Sequence, residues 1–240
     1  MSQTATHEVR CTCGAILSVL CADSINAERH PHMREAVLAR TLHVFRCDAC
    51  LASIAVDKPF VYIDLARRQL YGVQPPALRA LEREHGEALV NVYERALGQR
   101  ASEAARAMFE GDTFHVRLCY GNEALREKLV ARDAGLRDLP IEALKAELLA
   151  GTPALREAGV IALYLDRVDD HELVFLAERI GGSSGLLEQA VTAERARYDA
   201  LAAVPWTELL ERFPGIASGP HVSVLRWTLA PTDGGDAPAP

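Results

Sequence analysis

The sequence predicts an α+β protein, and three observations carry that prediction. Two close cysteine pairs, Cys11/Cys13 and Cys47/Cys50, stand beside short β-prone segments near the N-terminus. After Pro75-Pro76 the apolar period changes from two to the helical value. Further on, helical stretches surround two apolar runs, 160–165 and 173–176, that read as a hairpin. The expected order is therefore an antiparallel β module with a helical insertion, then helices packed on a small antiparallel sheet. The expected boundaries are 1–76, 77–230 and a disordered tail over 231–240, rich in Pro, Gly, Asp and Ala.

The elements follow in chain order. Residues 1–9 read as a frayed end, with Val9 opening the first ordered segment. The run 15–20 is apolar and partly β-branched, hence a strand, and Asp23-Ser24-Ile25-Asn26 reads as a turn-prone loop. Pro31 suits the first turn of a helix over 32–39. Leu42-His43-Val44-Phe45 is a strand that delivers the second cysteine pair, and Ser53-Ile54-Ala55-Val56 is a strand that leaves it. Residues 59–64 and 67–73 are two further strands, ended by the prolines.

Beyond them Leu78, Leu81, His85, Leu89, Val92, Tyr93, Ala96 and Leu97 share one helical stripe closed by Gly98. A short helix follows over 102–110, then a strand over 113–120 with period-two alternation. Asn122 and Asp138 are candidate N-caps of two more helices, the second with Ile141, Leu144, Leu148 and Leu149 facing inward and Gly151 at its end. After the hairpin, Leu187, Val191, Glu194, Tyr198 and Leu201 recur at helical spacing. Pro205 and Pro214 bracket a short helix, and 221–229 reads as a last strand. No repeat of fixed period is present.

A chain of 240 residues with 49% hydrophobic and 25% charged content buries a core without disulfides. No apolar run approaches the roughly 18 residues of a membrane span, and Met1–His7 lacks the basic and apolar blocks of a leader, so a cytoplasmic protein with no membrane association is expected. Thiols stay reduced there, so paired cysteines point to metal or dithiol chemistry. Cys21 and Cys119 stand alone and read as small buried hydrophobes. The net charge of -7 repels phosphate backbones, and the basic features at 67–68, 126–132 and 195–197 are interleaved with acids or lie on helix faces. Nucleic acid is thereby disfavoured as a partner.

Four thiolates hold Zn²⁺ tetrahedrally at about 2.3 Å. Cys11, Cys13, Cys47 and Cys50 are the candidate ligands, on the two arms of a zinc-ribbon-like module, with Zn²⁺ in a structural role. Cys47 and Cys50 have the usual two-residue spacing. Cys11 and Cys13 have one, which predicts an extended approach to the ion from one side and makes Cys11 the weakest ligand of the four. Arg10 and Arg46, each just before a pair, would offset part of the site's negative charge. The same Cys47/Cys50 pair also admits a dithiol oxidoreductase, but that chemistry needs a helix starting at the first cysteine, and the residues that follow are strand-like.

Gly181-Gly182-Ser183-Ser184-Gly185 matches the Gly-x-Ser-x-Gly of a hydrolase elbow, with Asp199 and His221 in triad order. The strand before it belongs to a hairpin, so Ser183 as a nucleophile is the lesser reading beside a glycine-rich exit with a serine cap. His30-Pro31-His32, His171-Glu172, His43 and His115 read as surface or satisfied core positions.

Residues 11–76 resemble the CpXC family of bacterial and archaeal proteins, which have two paired-cysteine motifs around a short insertion. The resemblance rests on Cys11/Cys13 and Cys47/Cys50, on Asp23-Ser24-Ile25-Asn26, and on Pro59-Phe60-Val61-Tyr62-Ile63-Asp64. The first pair here lacks the proline and one spacer residue of the family pattern, and Leu51 stands where a glycine often follows the last cysteine. Arg117 to Lys145, with Leu125-Arg126-Glu127-Lys128 and Ile141-Glu142-Ala143-Leu144-Lys145, resembles the C-terminal part of longer members. The resemblance implies a zinc ribbon of unestablished biochemical role. A closed four-thiolate shell offers no open position for water. The expected function is that of a non-catalytic binding or scaffold protein with an unidentified protein partner and no catalytic residue; the alternatives are an enzyme at Cys47/Cys50 or Ser183, or a nucleic-acid-binding ribbon.

Overall fold

The computed structural model describes residues 2–109, 113–179 and 189–228, so Ser183, its glycine-rich motif and the tail 231–240 lie outside the described residues. The chain is α+β, with strands and a helical insertion first and helices with smaller sheets after. Contacts divide it inside one helix into two units, one running to Val130 and including Gly219–His221, the other Ala131–Ser218 with the residues from Val222 on.

The first unit opens with a hairpin of β1 (Gln3–Arg10) and β2 (Ile16–Asn26), paired antiparallel from Thr4↔Ala22 to Arg10↔Ile16. Two expectations are corrected here. The chain before Val9 is a strand and not a frayed end, and Asp23–Asn26 continues β2 and is not a loop. Thr, His and Glu at 4–8 have little apolar periodicity of their own, and pairing with β2 orders them. The insertion is α1 (Pro31–Leu38), flanked by two short strands, β3 (Val44–Arg46) and β4 (Ser53–Ala55), that pair antiparallel.

β5 (Phe60–Asp64) and β6 (Gln69–Gln74) form the next hairpin, and β6 ends just before Pro75-Pro76. A 3-10 turn at Pro76–Leu81 leads into α2 (Glu82–Ala96), then α3 (Glu103–Met108), β7 (His115–Tyr120) and α4 (Asn122–Asp133). The five-stranded sheet runs β1-β2-β5-β6-β7. Its β2·β5 and β6·β7 pairings are parallel, because the helical segments between them return the chain to the same edge before each strand starts.

Period two then sends alternate residues to opposite faces. One face carries Tyr62, Tyr71, Val73 and Cys119 into a core with Val37 of α1 and Leu125 and Leu129 of α4. The other carries Leu70, Leu118 and Tyr120 against Leu89 of α2. Gly72 permits that approach: a Cβ there would lie 3.1 Å from Leu89 Cδ1, tighter than ordinary contact. Asp64 is buried, and its carboxylate accepts the Arg67 N–H at 3.0 Å and Arg67 Nη1 at 2.9 Å, which closes the β5–β6 turn.

α4 holds the insertion in place. Arg126 Nε donates to the Leu38 carbonyl at the end of α1 at 2.8 Å, Asn122 Nδ2 donates to Leu42 O at 3.2 Å, and Arg40 Nε meets Glu123 at 3.1 Å. Asn122 is the first residue of α4 and ties down the insertion with its side chain; likewise Asp138 opens its helix as a buried first residue, not as the N-cap.

The second unit contains α5 (Asp138–Gly151), α6 (Pro153–Glu157), the antiparallel strands β8 (Val160–Val168) and β9 (Glu172–Arg179), β10 (Gln189–Glu194), α7 (Arg195–Ala203) and α8 (Trp206–Arg212). Short segments β11 (Ala217–Ser218), β12 (His221–Val222) and α9 (Leu225–Thr228) end the described chain. Two more expectations are corrected. Val191 and Glu194 lie on a strand paired with β9 from Gln189↔Ala177 to Glu194↔Glu172, and the helix begins only at Arg195. The last strand is two residues long and gives way to α9. Ala, Val and Thr at 190–193 fit either period, and a neighbouring edge on β9 decides for the strand.

α5 is buried around most of its circumference, including Glu142 and Lys145. The Glu142 carboxylate accepts Lys145 Nζ at 2.9 and 3.0 Å and the Val224 N–H at 2.8 Å. Spacings of three and four place these two charges on one side of the helix, where each neutralises the other.

Candidate metal centre

Both cysteine pairs sit in hairpin turns. In the first, Gly14 N–H donates to Cys11 O at 2.9 Å and Cys11 N–H to Ala15 O at 2.8 Å, a three-residue loop between β1 and β2. In the second, Leu51 N–H donates to Cys47 O at 2.7 Å and Cys47 N–H to Ala52 O at 2.9 Å, a loop one residue longer between β3 and β4. The extended approach expected of Cys11-x-Cys13 is corrected: a tight turn curls that pair toward one point. Each loop ends on a residue of positive φ, Gly14 at 92° and Leu51 at 62°. Leu51 thus adopts the left-handed conformation that a glycine takes at no steric cost. Leu51→Gly should raise stability by about 1 kcal/mol, read as a higher urea midpoint with an unchanged slope; a lower midpoint would mean that the exposed leucine makes contacts worth more than its strain.

The turns bring the four sulfurs together. All four Sγ atoms lie within 4.8 Å of one another. Cys11 faces Cys50 at 3.5 Å and Cys13 faces Cys47 at 3.7 Å, so each short distance crosses from one turn to the other. Tetrahedral thiolates about 2.3 Å from one ion have sulfur–sulfur edges of about 3.8 Å, and a disulfide would need about 2.05 Å. The donor set fits a single ion and not a pair of disulfides. Cys11 and Cys47 are buried, Cys13 and Cys50 exposed. Arg10 and Arg46, the last residues of β1 and β3, are exposed beside the two turns.

The protonation of the sulfurs supports the same chemistry. The Cys13 backbone N–H bonds the Cys11 sulfur and, with the neighbouring sulfurs, outweighs burial, lowering this thiol to about 6. The Ala52 N–H favours the Cys50 thiolate, but the sulfurs of Cys11, Cys13 and Cys47 together with burial push Cys50 up to about 12. Four thiolates at this separation would repel one another, and a divalent cation held among them would take the place of the last protons, that of Cys50 included.

His43 anchors the second arm. It has a φ of 58°, is buried, and accepts the Ala22 N–H of β2 on Nε2 at 2.9 Å, with its ring edge-on to Phe60 at 5.3 Å. The proton of the neutral ring accordingly sits on Nδ1. Burial first, then Lys58 and His7, lowers His43 to about 4. In the unfolded chain it titrates near 6.5, so as pH falls the unfolded state takes up the proton first. The stabilisation is complete above about pH 6.5 and is lost toward pH 4, by about 3 kcal/mol in all. His43→Gln should flatten the dependence of the urea midpoint on pH over that window; equal slopes in both proteins would show that His43 carries none of it.

Beside it Lys58 donates to Asp23 and lies 3.1 Å from His7 Nε2, and this hydrogen bond holds Asp23 below its usual range. No local spacing signals His43 or Lys58, since their partners lie on β1 and β2.

The remaining sequence candidates are placed elsewhere. His115 Nδ1 meets Tyr71 OH at 2.9 Å, and the His30 and His32 rings meet edge-on at 5.8 Å. His221 lies 3.1 Å from Glu82 and edge-on to Tyr120, while Asp199 pairs with Arg195. Cys21 and Cys119 are buried in the first unit. No helix of the described residues is long and apolar enough to cross a membrane.

No curated protein and no solved structure matches the chain. Residues 9–145 match the family described as CpXC protein, a span that takes in both cysteine turns, the insertion, the five-stranded sheet from Val9 onward and α5 up to Lys145. With its paired cysteines converging across an insertion and more than half its length matched, the chain belongs to the CpXC family.

Proposed function

We propose that Cys11, Cys13, Cys47 and Cys50 hold one structural zinc ion, and that the chain is a non-catalytic binding or scaffold protein of the cytoplasm. The observation that carries this reading is the crossed pairing of sulfurs, 3.5 and 3.7 Å, between two hairpin turns. With four thiolates in place the ion has no open position for water, so it braces the two turns and does not activate a nucleophile. Such a site suits a reducing compartment, where thiols remain free. The dithiol alternative is less well supported: each of Cys47 and Cys50 faces a sulfur of the other turn, and β4 follows where a thiol-activating helix would have to start.

The nucleic-acid alternative meets a similar objection. Arg67 is engaged by Asp64, Arg68 lies over the Phe109 ring at 5.0 Å, Arg126 bonds Leu38 O, and Arg195 and Arg197 pair with Asp199 and Glu147. These cations are committed within the chain. Elemental analysis of protein purified without added metal should find about one zinc per chain. Metal-free protein with four titratable thiols would sink the zinc reading, and turnover of a disulfide substrate would replace it with the dithiol one.

A further inference from the structure

The four clustered cysteines differ in exposure, and the difference is arranged across the site. Each turn carries one buried and one exposed thiol, Cys11 with Cys13 in the first and Cys47 with Cys50 in the second. Both short sulfur contacts join the exposed thiol of one turn to the buried thiol of the other, Cys50 to Cys11 at 3.5 Å and Cys13 to Cys47 at 3.7 Å. Cys11 is only 4% exposed and Cys47 1%. Cys21 and Cys119 are buried as well.

An oxidant arriving from solvent therefore meets Cys13 and Cys50 first. Solvent access and thiolate character select the cysteine that is oxidised, and a second thiol close by turns the product into a disulfide before it oxidises further. For each exposed thiol that second thiol is the buried one across the site. A disulfide needs about 2.05 Å, so each pair has about 1.5 Å to close.

We propose that Cys13 and Cys50 are oxidation sites for hydroperoxides, and that Cys47 and Cys11 resolve them into two disulfides, Cys13–Cys47 and Cys11–Cys50, with loss of the ion. The Cys50 thiolate attacks the terminal oxygen of the hydroperoxide, the O–O bond breaks, and the departing alkoxide or hydroxide takes a proton from water. Cys50 is then a sulfenic acid. The Cys11 thiolate attacks its sulfur, the S–O bond breaks, and the hydroxide that leaves is protonated to water. The two thiolates have lost two electrons, and the hydroperoxide has been reduced to an alcohol and water, or to two waters when it is hydrogen peroxide. Cys13 and Cys47 follow the same course with a second hydroperoxide.

The thiolate is the metal ligand, so forming the disulfides dismantles the shell of the zinc ion proposed above. The links themselves depend on the sulfur geometry alone. Because both of them cross, they fasten the β3–β4 arm to the β1–β2 hairpin in the ion's place.

The full chain, its metal content measured first, is treated with a few equivalents of hydrogen peroxide, alkylated, and cut without reduction before Asp23, Asp48 and Asp57. Cys11 and Cys13 then lie on 1–22, Cys47 on 23–47 and Cys50 on 48–56. Crossed disulfides join all three fragments in one species, and about one zinc per chain should pass to a chromogenic chelator. Dimedone, which traps sulfenic acids, should label 48–56 at least about fivefold over 23–47. Pairing within the turns, which leaves 1–22 by itself and links 23–47 to 48–56, overturns the proposal. So does equal labelling of 23–47 and 48–56, or a zinc-loaded protein that keeps its ion and its free thiols under peroxide. Protein that never held zinc but still joins the three fragments refutes the metal reading and still supports the crossed oxidation.

Discussion

Cys47→Ser should lower bound metal to less than about a fifth of an ion per chain, and the β3–β4 arm should lose its order with it. β3 and β4 are three residues each, and an isolated hairpin of that size is not stable in water. What holds the arm is the pair of crossed sulfur contacts, between residues 34 and 39 positions apart, together with His43 on β2. Remove one ligand and the repulsion among the remaining thiolates is no longer balanced by an ion.

The five-stranded sheet has its own two-sided core and should survive. Hydrogen exchange locates the effect: amides of 44–55 should exchange at least about a hundredfold faster, while those of β5 and β6 stay protected. The same contrast is expected when a chelator strips the wild-type protein. Retained metal in Cys47→Ser, or undiminished protection of 44–55 after chelation, would show that the ion does not brace the arm.

Glu142→Leu should destabilise the second unit by about 3 to 5 kcal/mol, a large share of the stability of an ordinary domain. The carboxylate is buried and accepts from Lys145 Nζ and from the Val224 N–H. The substitution removes the charge paired with a buried ammonium and an acceptor of a buried amide at one stroke. Adding Lys145→Met should recover much of the loss, because an apolar pair of similar volume needs no desolvation of charge. Urea unfolding of the two variants separates the contributions; equal stability of the single and double variants would mean that the pair is not coupled.

How far the site was legible follows from the reach of each interaction. Cys11, Cys13, Cys47 and Cys50 stand out by spacing alone, as do α1 behind Pro31 and the stripe of α2, because these signals are contained within a few residues. Cys11, read from its irregular spacing as the weakest ligand, lies buried 3.5 Å from Cys50, since the three-residue hairpin loop does for a one-residue spacer what the longer loop does for two. That loop is closed by a backbone bond to Ala15, which spacing between cysteines does not encode. Leu51 reads as a departure from the family pattern, yet its backbone takes the conformation of the residue it replaces.

The strands show the same division. Residues 4–8 carry a strand only because β2 lies beside them, and 190–194 only because β9 does. The α+β class, the position of both cysteine arms and the family are written in local period and spacing. The parallel joins of β2 to β5 and β6 to β7, the burial of His43 and the Glu142–Lys145 pair are not. Each of these is settled by a partner or a neighbouring surface that the local pattern cannot name, and the free energy that selects it exists only once the chain has brought the two together.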